Sequence, residues 1–391
     1  MALVSRTIPN LVQGVSQQPE VLRLNSQAGE QVNGFSSVVE GLKKRPPTEY
    51  VAKLSNSAFN NAYIHTINRD ANERYNVVIT NGSIAVYTID GVSKTVVNAT
   101  NATNYLASSN PKSDFVCMTV ADFTFIVNKQ KITSMATTQS TAKVEQAIYS
   151  VLQGVNSTKY SITIDGSTFN FTSSNTSTES IRNGLKSACG SISNITFANV
   201  GNSSFSIVKS TGTLTVSASD AFGDDASQVV KDKVSNFSDL PVPAINNQVV
   251  QVTGDSDNGF DDYYVKFIGA DQLWQETVAP SQFTSFDVST MPHVLIRTAD
   301  GNFRFSQVDG SGYSIHLGGG SLLAQSVPAW GDRICGDLNS VPDPTFIGRK
   351  LNDIFFHRNR LGFLADENVV MSRSGEYYEF FPETITQTLD T

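Results

Sequence analysis

The densest group of side chains that could bind a ligand is the acidic run at 255–262, DSDNGFDD, with four carboxylates in eight residues. Carboxylate oxygens are the donors that Ca²⁺ prefers, and the EF-hand loop places a glycine at position 6 and a bidentate Glu at position 12. Here Gly259 falls at position 5 and Lys266 at position 12, which breaks the pattern. We therefore expect a solvated hairpin tip between two strands.

Residues typical of catalysis or metal binding occur singly. The histidines form no His-x-x-x-His pair, and the cysteines are too scattered for a zinc site or a disulfide framework. The residues concerned are His65, His293, His316, His357, Cys117, Cys189 and Cys335. No P-loop, Gly-x-Gly-x-x-Gly or nucleophile elbow occurs, and the glycine run 318–320 has no lysine and no helix after it. The sequence predicts no enzyme, no cofactor and no catalytic, cofactor-binding or metal-binding residue.

The overall charge argues against a protein that grips nucleic acid. The 391 residues include 28 Lys and Arg and 36 Asp and Glu, for a net charge of −8. Affinity for phosphates comes mainly from clusters of Lys and Arg, although an acidic protein could still let DNA slide past. The basic triplet Lys43–Arg45 is followed by two prolines, so we interpret it as a solvated loop rather than a phosphate site.

The sequence shows neither a signal for secretion nor a segment that would span a membrane. The N-terminus lacks the basic start and the unbroken apolar stretch of a secretory signal. No run of about 18 apolar residues occurs, so we expect no membrane-spanning segment. Few cysteines fit a chain folded in a reducing cytosol, and we expect synthesis in the cytoplasm.

The elements that position these residues are mostly short strands. Asn81-Gly82 separates two alternating strands, which is a strong hairpin signal. A second meander is predicted over 115–133, and a third over 353–373. Three short strands per unit, joined by tight turns, are typical of propeller blades or of one sheet of a sandwich.

A Ser-, Thr- and Asn-rich segment interrupts the meanders, but its apolar residues keep a regular period. Strands are predicted at 160–164, 168–171, 195–197, 204–208 and 213–216. Thr176 and Glu179 have capping-box spacing ahead of a helix that carries Ile181 and Leu185. A second helix is predicted from Asp224 or Asp225 to residue 237. The segment is therefore predicted to be a small folded domain.

These patterns predict a mainly β fold: β-propeller-type meanders interrupted by a small inserted α+β domain. The predicted divisions are an extended N-terminal arm at 1–50, a first set of blades at 51–150, the inserted domain at 151–243 and further, incomplete blades at 244–391.

Several sequence strings resemble those of podovirus tail tubular protein B, the tail nozzle family of short-tailed bacteriophages. Their joint occurrence in the family's order is more specific than any one string. They are GVSQQP at 14–19, EQVNG at 30–34, EGLKKRPP at 40–47, YIHTINRD at 63–70, TVADFTFIVN at 119–128, MPHVLIR at 291–297 and NRLGFL at 359–364.

This resemblance implies a structural subunit of a phage tail, located in the virion and made in the host bacterium. In that family six copies form a ring with a β-propeller in each subunit, beneath an adaptor (tail tubular A) ring, and tail fibres attach around it. The ring encloses the channel that conducts and gates genome DNA as it leaves, without specific binding. The extended arm would then be a strap for a neighbouring subunit or the adaptor. Family members are longer than this chain, so we expect residues 1–391 to be an N-terminal portion.

Two other functions are compatible with the residues alone. A glycan-binding adhesin or tail-associated depolymerase would use surface aromatics (Tyr263, Tyr264 and Trp274) and two carboxylates. Acidic pairs occur at Asp224-Asp225 and Asp261-Asp262. A generic β-propeller scaffold would explain the predicted fold but not the ordered strings.

Overall fold

The computed structural model describes residues 10–254, 262–317 and 321–387. It is mainly β, with 40% of residues in strands and 7% in helices. No helix in these described ranges combines the length and the hydrophobicity that a membrane crossing requires. The acidic run at 255–261 and the glycine run at 318–320 lie outside the described residues.

The chain forms two compact units, residues 1–56 and 57–391. In the first unit, β1 (Gly34–Ser37) and β2 (Gly41–Lys44) pair as an antiparallel hairpin. A 3-10 turn covers Glu20–Leu22, and the Ser36 hydroxyl donates to the Leu11 carbonyl at 2.9 Å. Between residues 45 and 55 the backbone has no regular structure.

The described part of the second unit contains six sheets and one further hairpin, β23–β24. Its strands are β3 (Tyr63–Asn68), β4 (Arg74–Thr80), β5 (Ser83–Thr88), β6 (Ser93–Lys94), β7 (Val96–Asn98), β8 (Phe115–Val120), β9 (Phe123–Asn128), β10 (Gln146–Val151), β11 (Lys159–Ile164), β12 (Ser167–Thr172), β13 (Ile195–Val200), β14 (Ser204–Lys209), β15 (Val216–Asp220), β16 (Ser227–Val230), β17 (Lys233–Val234), β18 (Val249–Val252), β19 (Tyr263–Ile268), β20 (Leu273–Thr277), β21 (His293–Arg297), β22 (Phe303–Ser306), β23 (Gly312–His316), β24 (Leu322–Ser326), β25 (Asp353–His357), β26 (Arg360–Ala365) and β27 (Asn368–Met371). The helices are α1 (Pro111–Asp114) and α2 (Thr178–Cys189), with 3-10 turns at Ala102–Leu106 and Phe237–Asp239.

Three sheets pack face to face in a first stack. Sheet A has the order β3-β4-β5-β6, sheet B β7-β22-β21-β9-β8, and sheet C β25-β26-β27. Sheet B is the middle layer because its residues alternate between two apolar cores. On β9, Phe125 and Val127 enter the core shared with sheet C, while Ile126 enters the core shared with sheet A. This alternation is the period of two that a strand imposes on its side chains.

The segment between β9 and β21 forms an insert stack of the same kind. Sheet D (β13-β14-β10-β16) is its middle layer, sheet E (β12-β11-β15) with α2 covers one face, and sheet F (β17-β18-β19-β20) covers the other. On β10, Tyr149 faces sheet E and α2, whereas Ile148 faces sheet F. Strands before and after this insert meet in sheet B, where β9 pairs with β21.

Three predicted details of the insert are wrong. The helix predicted over 224–237 is instead β16, β17 and a 3-10 turn, because its valines pair with strands of sheets D and F. The strand predicted at 213–216 lies at Val216–Asp220. The helix α2 is capped by Ser177, whose hydroxyl accepts from the Ser180 amide at 3.3 Å, not by Thr176.

Residues 131–133 do not complete a three-strand meander. Ile132 forms an isolated bridge with Lys350, and the Thr133 amide donates to the Arg349 carbonyl at 2.9 Å. The backbone of Thr133 is therefore bonded to the distant 346–350 loop, whereas the Lys131 amide turns back to the Asn128 carbonyl of β9 at 3.1 Å.

Candidate functional site

The residues that might do chemistry are not brought together. In the described ranges no group of three or more His, Cys, Asp and Glu is placed to hold a metal ion. His65 Nε2 lies 2.7 Å from the Thr119 hydroxyl, and buried His293 has its Nδ1 3.0 Å from the Met291 carbonyl. Burial lowers the pKa of both imidazoles, to about 4 for His293. Each acts as a neutral hydrogen-bonding group of its sheet.

The three thiols are free and poorly suited to nucleophilic chemistry. Burial raises the pKa of Cys189 to about 11 and of Cys335 to about 12, and it also raises the pKa of Cys117. Since the thiolate is the reactive form, these side chains stay protonated and unreactive at neutral pH.

The aromatic residues of the predicted sugar-binding face do not form an exposed surface. Trp274 is 8% exposed, packs against Phe267 and donates its indole N–H to the Pro241 carbonyl at 2.9 Å. Tyr264 is half-buried and donates its hydroxyl to Asp337 at 3.2 Å. The expectation that Trp274 lies on the surface is therefore wrong.

The two acidic pairs give no support to glycosidase chemistry. Asp224 accepts from the Asp220 amide at 2.8 Å, so it stabilises an exposed turn. Asp261, the first member of the other pair, lies outside the described residues. The adhesin or depolymerase alternative is therefore not favoured.

The basic triplet lies on β2 of the first unit and just after it. Lys43 forms an ion pair with Glu40, and Arg45 Nε donates to Asn33 Oδ1 at 2.8 Å. Lys44 is exposed. Two of the three cations are thus already engaged, which leaves little for a phosphate.

The main structural joint of the second unit is a pair of antiparallel segments that connect the two stacks. We call residues 134–141 and 281–287 the connector ribbon. The Ser140 amide donates to the Gln282 carbonyl at 2.8 Å, and the Ser140 hydroxyl donates to the Ala279 carbonyl at 2.6 Å. Nearer the first stack, the Ala136 amide donates to the Ser285 carbonyl at 2.8 Å. The chain crosses between the stacks only along these two paired segments.

A cleft of about 900 Å³ opens beside the connector ribbon, and Lys143, Lys231 and Asp232 of its lining belong to one ion-pair network. Lys143 lies 2.9 Å from Asp232, and Lys231 lies 3.1 Å from both Asp232 and Glu145. The pKa of Glu145 is lowered, first by the Leu214 amide that donates to it and then by Lys231. These ion pairs hold one part of the cleft wall together, and Lys266, Glu276 and Glu383 also line the cleft.

The insert stack is fastened to the first stack by side chains of sheet F. Glu276 accepts from the Thr384 hydroxyl at 2.5 Å and from the Ile385 amide at 2.8 Å. Burial and neighbouring Asp337 raise the pKa of Tyr264 to about 12, so its hydroxyl stays protonated as a donor. No local sequence pattern pointed to these residues, because their partners are 73 to 109 positions away.

Arg333 anchors the connector ribbon to the first stack. Its side chain is fully buried, pairs with Asp343 at 2.5 Å and donates to the Phe283 carbonyl of the ribbon at 2.9 Å. Its guanidinium lies 5.0 Å from the centre of the Phe381 ring. The described chain thus carries a rigid, ion-paired joint and no convergent catalytic group.

Comparison with known proteins gives two matches that span this chain. The sequence model of the bacteriophage nozzle proteins matches residues 1–391. The chain is also 34% identical over 413 aligned positions to the tail tubular protein gp12 of Escherichia phage T7. That match covers all of this chain and 49% of the relative, so the chain spans about half the length of the curated relative.

Proposed function

The chain belongs to the bacteriophage nozzle protein family, and on that premise we propose that it is a structural, non-enzymatic subunit of a short phage tail. The observation that carries this proposal is the family match along the whole of residues 1–391, arms, insert and meanders included. The absence of any metal-binding cluster in the described ranges is compatible with a structural role.

We propose that six copies form a ring that conducts genome DNA out of the capsid. A closed ring of identical subunits needs head-to-tail contacts that repeat from copy to copy. The partners would be an adaptor ring above it and tail fibres around it, as the family resemblance implies. The net charge of −8 supports a conduit, because DNA must pass without being held by Lys and Arg clusters.

We further propose that sheets A, B and C are consecutive blades of a β-propeller. Their support is the face-to-face stacking around sheet B and the antiparallel order of β25-β26-β27 and β3-β4-β5-β6. A propeller needs at least about four blades, and the described residues supply three in this stack.

The domain division is also a proposal: an arm at 1–50, blades at 51–150 and 244–391, and an inserted domain at 151–243. The packing of sheet F against sheet D supports extending the inserted domain to the end of β20. The connector ribbon would then separate the insert from the blades.

The proposal is tested by the composition of purified virions of the source phage. Peptide mapping should find this sequence in a tail protein, and antibodies against the chain should label the tail end of the particle in electron micrographs. Antibodies against the capsid protein provide the matched control. Absence of the sequence from virions would contradict the assignment.

A further inference from the structure

The first unit exposes an unusual amount of apolar surface for its size. The name arm here covers the described residues 10–56 of the first unit, beyond the predicted limit at residue 50. Of the arm residues that the structure describes, only Gly41 is buried, and eleven large hydrophobic residues are exposed. Among them, Val21, Val38 and Val39 are each more than 85% exposed. A segment of this kind has no core of its own, and this much exposed apolar surface is typical of an interaction site.

The arm ends, just before the second unit, in an irregular stretch that is long enough to reach another molecule. Residues 45–55 have no regular structure, and residues 46–53 are all exposed. Eleven extended residues span up to roughly 35–40 Å at 3.3–3.6 Å each. That length is comparable with the dimension of a domain, so the connection does not confine the arm to its own chain.

The net charges of the first unit, which contains the arm, and of the second unit are opposite. Residues 1–56 hold six Lys and Arg against four Glu, and the other 335 residues hold 22 against 32. The first unit is therefore net positive at +2, whereas the second is net negative at −10. Opposite net charges attract the first unit of one copy to the second unit of another and favour their association.

We infer that the arm of one copy binds the acidic second unit of the neighbouring copy, so that each subunit is strapped to the next. This inference rests on the proposed ring. Its occupant is a second copy because the complementary charge lies on this chain itself, and a repeated arm-to-body contact is the head-to-tail kind that closes a ring. The eleven exposed apolar residues alone are about half of the roughly 20–30 residues of all types that one side of a stable interface contributes.

The first experiment places a photo-crosslinker in the arm of the 391-residue chain. We expect Val39→p-benzoylphenylalanine to give a ladder of covalent oligomers after irradiation, with attachment sites in residues 57–391. The matched control is the same substitution at Val369, which is 63% exposed on β27, and it should give a weaker ladder. Products confined to single chains at Val39 would overturn the inference, since the arm would then pack in cis or contact nothing.

A second set of variants tests the physical cause. Val38→Ser should weaken self-association at least tenfold in sedimentation, because one buried valine is lost from the contact. Lys44→Glu should lower the crosslink yield at Val39 severalfold, and so should added salt. Lys112→Glu, an exposed change on α1, should leave the yield unchanged. Equal effects of Lys44→Glu and Lys112→Glu would overturn the charge argument.

The outcomes separate this inference from the proposed function. Oligomers seen by native mass spectrometry with only intrachain crosslinks at Val39 would overturn the strap and leave the nozzle proposal standing. A ladder at Val39 from a protein that is absent from virions would support the strap and overturn the nozzle proposal.

Discussion

The ion pair between Arg333 and Asp343 allows a quantitative test of how the first stack holds the connector ribbon. The two partners differ in burial: the Arg333 side chain is 0% exposed and that of Asp343 is 32% exposed. Removing either one breaks the same 2.5 Å contact, but the group left behind has a different environment. We therefore predict unequal losses of stability for Asp343→Ala and Arg333→Met.

The magnitudes follow from what each variant leaves buried. Asp343→Ala leaves a guanidinium in the interior without a counter-charge, which costs about 3–5 kcal/mol, toward the lower end because Asp343 is partly hydrated. Arg333→Met keeps a long apolar chain and leaves a carboxylate that water can reach. This variant loses the hydrogen bond to the Phe283 carbonyl and the contact with the Phe381 ring. Together these losses should lower the free energy of unfolding by roughly 2 kcal/mol.

Tryptophan fluorescence during urea unfolding measures these losses in the right part of the molecule. The chain has two tryptophans: Trp330 in the core of the first stack and Trp274 in that of the insert stack. In a Trp274→Phe background the signal reports only the first stack. The control is Asp366→Ala, which breaks an ion pair with Arg349 whose side chains are 56% and 44% exposed, and it should cost less than about 1 kcal/mol.

A loss of stability from Arg333→Met equal to or larger than that from Asp343→Ala would contradict the predicted cost of an unpaired buried guanidinium. A loss of stability for Asp343→Ala as small as that for Asp366→Ala would contradict the same prediction, because leaving the buried guanidinium unpaired would then carry no cost.

Three further predictions concern protonation, thiol reactivity and local order. Because burial lowers the pKa of His293 to about 4, the unfolded chain binds a proton that the folded chain does not. The contribution of neutral His293 to the free energy of unfolding is therefore complete above pH 6.5, and roughly 3 kcal/mol of it is lost as the pH falls toward 4. His293→Gln should remove this part of the pH dependence, as measured by urea unfolding at a series of pH values. A thiol reagent at pH 8 should label Cys117, Cys189 and Cys335 only after denaturation, since all three have raised pKa values; rapid labelling of the folded chain would contradict this. Glu276→Ala should speed hydrogen exchange in the C-terminal peptide at least tenfold without lowering global stability, because the Ile385 amide loses its acceptor. An unchanged exchange rate would show that the contact does not hold this segment.

The meanders were predictable because their signals are local. Asn81-Gly82 joins β4 to β5, and the meander at the C-terminal side appears as β25, β26 and β27. Alternation of apolar residues and a two-residue turn fix the register of neighbouring strands without help from distant residues. The nozzle family was also identified from short strings in order, and the match along the whole chain confirms it.

The errors fall where distant partners override local preference. Val229 and Val230 have a spacing compatible with a helix, but they pair with Tyr149 and Ile148 of β10 and form β16. Valines occur both at helical spacing and in strands, so pairing with distant strands decides which of the two structures forms. The hairpin β23–β24 was missed because its strands alternate weakly and are largely exposed.

Three properties could be predicted from the sequence alone: a mainly β fold, an acidic net charge and the ordered strings of a nozzle protein. Those properties are carried by composition and by residues close together along the chain. Only the tertiary structure decided that β9 pairs with β21 across the insert, that Trp274 is buried, and that Arg333 and Glu276 fasten the joint between the stacks. Each of these contacts joins residues that are far apart along the chain. A single sequence does not specify such partners, because the packing energy of each contact depends on which surfaces the fold brings together.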